Sequence, residues 1–135
     1  MKRIMKRIFL AIIMSFAFLN MQAQDKQPFR SVDVTEFEKA IADTSYVVLD
    51  VRTAEEYAEA HIPGTDFNID VLEEGFKAEA LKLLPKGKLV ALYCRSGNRS
   101  KNAARILSDS GYKVLELSTG IRGWLAAGKE TEAGK

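Results

Sequence analysis

Residues 89–100 decide the fold of this chain, and they read Leu-Val-Ala-Leu-Tyr-Cys-Arg-Ser-Gly-Asn-Arg-Ser. The apolar first half predicts a buried strand, because a parallel strand covered on both faces has a continuous apolar run. The strand ends at Cys94, the one cysteine of the chain, and a small polar loop with two arginines follows. A helix is predicted to begin near Ser100. This order places a thiol in a cup of backbone N–H groups, which suits a sulfur nucleophile and an anionic substrate.

The composition of the loop is typical of an anion-binding nest. Gly97 and the small Ser96 let the backbone curl so that successive N–H groups point inward, and Asn98 helps to turn the chain into the helix. A helix N-terminus and nearby arginines both favour the thiolate of a cysteine, which is the nucleophilic form. Such a cup suits a persulfide, a sulfonate-like oxyanion or a phosphate.

The spacing of the arginines separates two chemistries that use a cysteine in such a loop. Cysteine-dependent phosphatases place an arginine six positions after the nucleophile. Here Ser100 holds the sixth position, and the arginines hold the first and fifth, Arg95 and Arg99. The loop is one residue shorter than that of the phosphatases. A smaller loop fits one extra sulfur atom better than a phosphate. Ser100 is instead predicted to be the N-cap of the following helix.

Strands and helices alternate along the rest of the chain. Further strands are predicted at residues 31–34, 46–51, 65–69 and 113–117, and helices at residues 35–41, 54–60, 71–84, 100–110 and 119–125. This alternation predicts an α/β sandwich with a mostly parallel sheet. A chain of 135 residues that is 47% hydrophobic is enough for one domain with a real core.

Asp50 and Arg52 lie at the end of the predicted strand 46–51. Ligands of such folds sit outside the carboxyl ends of the strands, so this pair is expected beside the Cys94 loop. Charges at a strand end are usually paired, which favours a structural role. We expect Asp50 to brace the loop and Arg52 to pair with Glu55 or Glu56.

The N-terminus has the features of an export signal. Four basic residues precede an apolar segment from Ile8 to Leu19, and a small residue before a cut is available at Ala23. Residues 1–23 are therefore predicted to be a cleavable signal peptide, residues 24–30 a leader, residues 31–128 the domain and residues 129–135 a tail. The predicted location is the periplasm or another extracytoplasmic space, with no membrane attachment after cleavage; the alternative is that the segment stays uncleaved as a membrane anchor.

Charge and cysteine content narrow the function further. Without residues 1–23 the chain keeps 16 basic and 18 acidic residues, so nothing indicates a nucleic-acid partner. A lone thiol in an exported protein cannot form an internal disulfide and is predicted to be reactive. One histidine, His61, with one cysteine cannot form a zinc site. The predicted sulfur chemistry needs no metal and no organic cofactor, so none is expected. The breakers Pro63 and Gly64 place His61 in a turn.

Five motifs in this order and spacing resemble the rhodanese family across nearly the whole predicted domain: 49–52 (Leu-Asp-Val-Arg), 56–57 (Glu-Tyr), 61–64 (His-Ile-Pro-Gly), 94–100 (Cys-Arg-Ser-Gly-Asn-Arg-Ser) and 120–124 (Gly-Ile-Arg-Gly-Trp). The resemblance implies a three-layer sandwich, with a five-stranded parallel sheet, helices on both sides and a six-residue active loop from Cys94 to Arg99. It also implies sulfur transfer, in which Cys94 takes the outer sulfur of a small anionic donor such as thiosulfate. The acceptor would be cyanide or a thiol, including that of an exported redox protein.

Roles follow from this resemblance together with the chemistry of the loop. Cys94 is the predicted nucleophile, and the backbone N–H groups of residues 95–99 (Arg95, Ser96, Gly97, Asn98 and Arg99) are predicted to cradle the persulfide. Arg95 and Arg99 are candidates for binding the anionic end of the donor. Asp50, Arg52 and Ser100 are predicted to support the loop.

Three functional hypotheses remain from the sequence. The first is a thiosulfate-type sulfurtransferase, which the cysteine and the basic loop favour. The second is a non-enzymatic module that carries persulfide or docks another protein. The third is a phosphatase or arsenate reductase, against which the loop length argues.

Overall fold

A computed structural model of the protein describes residues 28–134. The five strands are β1 (Arg30–Val32), β2 (Tyr46–Asp50), β3 (Phe67–Asn68), β4 (Leu89–Tyr93) and β5 (Val114–Leu117). The five helices are α1 (Val34–Ile41), α2 (Ala54–Glu59), α3 (Phe76–Leu83), α4 (Asn98–Asp109) and α5 (Gly120–Ala126).

The strands form one sheet in the order β1-β5-β4-β2-β3, and every neighbouring pair is parallel. Helices cover both faces. Phe76 of α3 and Leu107 of α4 belong to the core on one face, and Phe37 of α1 and Trp124 of α5 belong to the core on the other. The predicted three-layer α/β architecture is therefore confirmed.

The central strands are apolar because both of their faces are covered. Four of the five residues in β2 and in β4 are buried, as the continuous apolar runs predicted. In register, Asp50 at the end of β2 lies opposite Tyr93 at the end of β4. The residues that follow these two strands therefore emerge at the same edge of the sheet, where the sequence predicted the site.

Several element boundaries differ from the prediction, and three of them lie in β3, α3 and α4. The third strand is two residues long, Phe67–Asn68, instead of five. Helix α3 begins at Phe76 instead of residue 71, because Gly75 is a poor helix former and residues 71–75 form turns. Helix α4 begins at Asn98, two residues before the predicted start.

Residues 129–134 of the predicted tail pack back on the domain. The N–H of His61 donates to Glu132 O at 2.8 Å, and the N–H of Glu132 donates to His61 O at 2.9 Å. The indole N–H of the buried Trp124 donates to Glu130 O at 2.7 Å. The predicted signal peptide, residues 1–23, and residues 24–27 of the leader lie outside the described residues. Within residues 28–134, no helix has both the length and the apolar character needed to cross a membrane.

Candidate active site

Cys94 lies directly after β4, and its side chain is buried, with a relative exposure of 1%. The backbone N–H of Gly97 donates to Cys94 Sγ at 3.1 Å. Gly97 has φ 109°, a left-handed conformation that suits glycine because it has no Cβ, and it is the N-cap of α4. One backbone donor of the predicted cup, the Gly97 N–H, therefore points at the sulfur.

The N-terminus of α5 clamps the Cys94 loop from the other side. The N–H of Ile121 donates to Cys94 O at 2.9 Å, and the N–H of Arg122 donates to Arg95 O at 3.0 Å. A Cβ at Gly120, where φ is 63°, would lie 2.3 Å from Arg95 O, so this close approach requires glycine. Gly97 allows a second close approach, since a Cβ there would lie 2.2 Å from Ser118 O. The two glycines together let the backbone of the Cys94 loop touch the backbone that leads into α5.

Ser100 supports the loop, but not as the predicted N-cap. Helix α4 begins two residues earlier, and Ser100 lies inside its first turn, fully buried. Its hydroxyl lies 3.1 Å from Gly97 O and donates to Glu116 Oε2 at 2.6 Å. Ser100 therefore contacts the loop through its side-chain hydroxyl, at the carbonyl of Gly97.

Arg99 pairs with a carboxylate of α2. Its two terminal nitrogens donate to Glu56 Oε1 and Oε2 at 2.6 and 2.9 Å. The hydrogen bond to Arg99 is the main reason that the pKa of Glu56 falls from 4.5 to about 2, and the same bond raises the pKa of Arg99. The pair links α2 to the active loop.

Arg52 pairs with Asp50 and not with Glu55 or Glu56, so the predicted pairing was wrong. Its guanidinium donates to Asp50 Oδ2 at 2.7 Å and to Ala60 O at 2.7 Å, and both partners of the ion pair are buried. Asp50 and Arg52 are only two residues apart in the sequence. Arg52 therefore reaches the Asp50 carboxylate more easily than a carboxylate of α2. Asp50 therefore braces Arg52 and the turn after β2.

Arg95 borders an open cleft of about 360 Å³ beside the loop. Arg52, Arg122 and Leu125 contribute to the same walls. Within residues 28–134, no carboxylate lies within ion-pair distance of Arg95, which is exposed. Ser96 and Asn98 are exposed as well. The larger cavity, of about 500 Å³, lies beside Lys88 at the opposite edge of the sheet, away from the sulfur.

His61 has no part in this site. Its Nδ1 lies 2.9 Å from Tyr57 O, its Nε2 lies 3.7 Å from a carboxylate oxygen of Glu132, and its ring stacks on Tyr57. Both ring nitrogens thus face α2 and residues near the C-terminus. His61 itself forms a β-bridge with Glu132, and the turn lies at Pro63 and Gly64, so His61 precedes the turn in which it was predicted.

Sequence reasoning missed Glu116, which is fully buried in β5. Its carboxylate accepts from Ser100 and lies 3.2 Å from Lys101 Nζ. The sequence did carry one signal, because an acidic residue in the middle of an apolar strand is rarely buried without partners.

The comparisons with known proteins agree with this geometry. A profile of the Rhodanese-like domain matches residues 33–127. The sulfurtransferase of Allochromatium vinosum is 36% identical over 101 residues, which cover 72% of this chain and 89% of that protein. The thiosulfate sulfurtransferase PspE of Escherichia coli is 35% identical over 74 residues, which cover 55% of this chain and 69% of PspE.

Two further matches describe the extent of the likeness. YrkF of Bacillus subtilis is 38% identical over 88 residues, which are 64% of this chain but 45% of YrkF, so the chain spans less than half of that relative. The crystal structure of a rhodanese-related protein from Thermoplasma volcanium superposes with a TM-score of 0.67 at 31% identity, over 77% of this chain and 98% of that one. The chain therefore belongs to the rhodanese-like sulfurtransferase family.

Proposed function

We propose that the protein moves a sulfane sulfur from thiosulfate to a thiophilic acceptor through a persulfide on Cys94. The observation that carries this proposal is the hydrogen bond from the Gly97 N–H to the buried Cys94 Sγ, 3.1 Å long, within the six-residue loop. A donor fixed at that distance stabilises negative charge on sulfur before and after transfer. The name of PspE, a thiosulfate sulfurtransferase, supports the same donor.

In the first step the thiolate of Cys94 attacks the outer sulfur of thiosulfate. A new S–S bond forms on the protein, the S–S bond of thiosulfate breaks, and sulfite leaves with the bonding electron pair. The Gly97 N–H then faces a persulfide in place of a thiolate. Covalent catalysis of this kind divides one difficult transfer into two easier ones.

In the second step the acceptor attacks the outer sulfur of the persulfide. With cyanide, a C–S bond forms, the S–S bond breaks, and thiocyanate leaves while the electron pair returns to Cys94. With a thiolate acceptor, the product is the acceptor persulfide. Neither step requires a redox cofactor, because the electron pairs balance between donor, cysteine and acceptor.

Arg95 is the residue we assign to the sulfonate end of the donor. It is exposed on the cleft and has no carboxylate partner among the described residues, so its guanidinium can bind an oxyanion. Arg99 is engaged by both oxygens of Glu56, and a donor would have to compete with that pair. We assign Arg99 mainly to holding α2 against the loop, with a smaller share in donor binding.

The geometry gives no support to a phosphatase. A phosphate would need an arginine above the loop, and the nearest candidate, Arg99, is held by Glu56. At the sixth position, Ser100 directs its hydroxyl to Gly97 O and Glu116. The donors left for a ligand are those of a small cup, which fits a single additional sulfur atom.

We also propose that the protein works outside the cytoplasm, in a bacterial periplasm or a similar space. The support is the basic and apolar N-terminal sequence, residues 1–23. An oxidising space favours a persulfide on a lone cysteine, since Cys94 has no second cysteine in the chain with which to form a disulfide. The acceptor there would be cyanide, a small thiol or the thiol of an exported redox protein.

A turnover assay tests the proposal. The purified protein is incubated with thiosulfate and excess cyanide, and thiocyanate is measured over time. We expect many equivalents of thiocyanate per protein and none from Cys94→Ser. A single equivalent would instead indicate a persulfide carrier, and hydrolysis of an aryl phosphate without thiocyanate would support a phosphatase.

A further inference from the structure

The interior of the molecule next to the active loop holds a charged network that the sulfur-transfer chemistry does not use directly. At its centre is Glu116, which points from β5 and is fully buried. Burying a carboxylate is costly unless its oxygens are hydrogen-bonded and its charge is paired. Glu116 meets both conditions, because both of its oxygens have polar partners from other elements.

The partners of Glu116 come from β1 and α4. Ser31 Oγ, in β1, donates to Oε1. Ser100 Oγ donates to Oε2 at 2.6 Å, and Lys101 Nζ lies 3.2 Å from Oε1. The carboxylate of this ion pair is fully buried, although Lys101 is partly exposed, and with two hydroxyl donors it restrains all three partners, since each would lose its bond by moving.

Two of these partners also contact the loop. Lys101 Nζ donates to Gly97 O at 3.2 Å, and Ser100 Oγ lies 3.1 Å from the same oxygen. Gly97 is the residue whose N–H donates to Cys94 Sγ. A short chain of contacts therefore runs from the buried carboxylate to the sulfur: Glu116 to Lys101 and Ser100, these two to the Gly97 carbonyl, and the Gly97 N–H to Cys94.

Fixing the Gly97 carbonyl has a defined effect on the loop. The peptides are trans, so the carbonyl of Gly97 and the N–H of Asn98 point in opposite directions, and holding one also orients the other. Ser118 O lies close to Gly97, since a Cβ there would be 2.2 Å from it, so Gly97 has little room to move. The Gly97 N–H belongs to the preceding peptide, so the held carbonyl and the crowded Cα together restrict the backbone rotations of Gly97 that would turn this N–H away from the sulfur.

We propose that Glu116 is a positioning residue for Cys94, acting through Lys101 and Ser100 on the Gly97 peptide. It touches neither substrate nor sulfur. Its effect is to keep the loop N–H groups directed at the sulfur, which favours the thiolate and, if the proposed function holds, the persulfide. This inference rests on the proposed function only for the second of these effects.

Alkylation of Cys94 by iodoacetamide tests the inference without relying on sulfur transfer. We expect Glu116→Gln to slow alkylation at pH 7 about tenfold and to move the pH profile of the rate to higher pH, because a neutral amide no longer holds the Lys101 ammonium by a charge-assisted bond. Lys101→Met should have the same effect, and the double variant should add little to either single one. Lys101→Arg keeps the positive charge and should therefore keep most of the wild-type alkylation rate.

Ser31→Ala is the matched control, because Ser31 also donates to Glu116 but does not touch Gly97. We expect it to leave the alkylation rate within about twofold, even if the melting temperature falls. Unchanged alkylation in both Glu116→Gln and Lys101→Met, with only a lower melting temperature, would overturn the inference. If Glu116→Gln does not fold, Lys101→Met alone decides whether the network positions Cys94, because Lys101 is partly exposed and its replacement disturbs the core less. A protein that fails the thiocyanate assay but shows these alkylation effects would lose the proposed function and keep the positioning role.

Discussion

At the residue scale, the Arg99–Glu56 pair connects the active loop to a helix that buries none of its own residues. Helix α2 has no buried side chain, so its position depends on polar contacts such as this pair. A bidentate arginine–carboxylate contact combines charge with fixed geometry. Arg99 is therefore both a loop residue and the anchor of a neighbouring element.

The lowered pKa of Glu56, from 4.5 to about 2, predicts an acid-dependent share of stability. Because the folded pKa is depressed, this share is present above about pH 4.5 and is lost as the pH falls toward 2. In Glu56→Gln we expect lower stability at pH 7 and a flatter decline over that range. Urea unfolding at several pH values measures both. Arg99→Ala should show the same flattening, whereas a Glu56→Gln curve parallel to that of the wild type would contradict the prediction.

Arg95 and Arg99 are predicted to differ in donor binding. We expect Arg95→Ala to raise the KM for thiosulfate about tenfold with a smaller change in kcat, since a charge-assisted hydrogen bond is worth about 1.5–3 kcal/mol. Arg99→Ala should weaken thiosulfate use less than Arg95→Ala does and lower the melting temperature more, because it also breaks the pair with Glu56. Steady-state kinetics and melting curves of both variants check this. A larger KM effect in Arg99→Ala would reverse the assignment.

The sequence predicted the residues of the loop but not the partners of their side chains. Cys94 and the loop are contiguous, and their chemistry follows from residue type and order. Glu56 lies 43 positions from Arg99, and Glu116 lies 16 positions from Ser100. Such contacts depend on how β5 and α2 pack around the loop, which no local pattern in one sequence specifies. The Asp50–Arg52 pair, by contrast, was within reach of local reasoning and was missed in favour of α2.

At the scale of elements, the strand, loop and helix around Cys94 formed where the sequence indicated, because each is determined by local features. The apolar run gives β4, and the glycine gives the turn into α4. The clamp by α5 is different in kind. It requires two backbone segments to approach each other at Gly120 and Arg95, and only the glycine in the motif indicated it.

Gly120→Ala tests this clamp. The new Cβ would lie 2.3 Å from Arg95 O, so the loop must move, and we expect a lower melting temperature with strongly reduced thiocyanate formation. Gly87→Ala is the matched control, because φ there is +87° and nothing lies within 4 Å of a Cβ. It should incur only the backbone strain, about 1 kcal/mol, and keep its activity. Equal activity in the two variants would show that the clamp does not matter for the loop.

At the scale of the whole molecule, the parallel sheet brings distant segments to one edge. The ends of β2 and β4 are in register, so Arg52 and Arg95 border the same cleft although they lie far apart in the chain. The alternation of strands and helices was enough to predict this arrangement. The return of residues 129–134 to the domain was not predicted, because a short polar segment has no periodic pattern.

Removal of residues 129–135 should lower stability by about 1–3 kcal/mol. The buried Trp124 N–H would lose Glu130 O, and His61 would lose both of its backbone bonds to Glu132. Urea unfolding of the shortened and complete chains measures the difference. Lys129→Ala, which removes only a partly exposed ion pair with Glu38, should cost less than about 1 kcal/mol. An unchanged unfolding midpoint in the shortened chain would mean that these contacts contribute nothing.

Intact-protein mass spectrometry measures whether Cys94 takes up a sulfur atom from the donor. The purified protein is weighed before and after incubation with thiosulfate. We predict a gain of one sulfur atom that disappears when cyanide is added and that never forms in Cys94→Ser. No adduct on the wild-type protein, together with turnover of an aryl phosphate, would contradict the account.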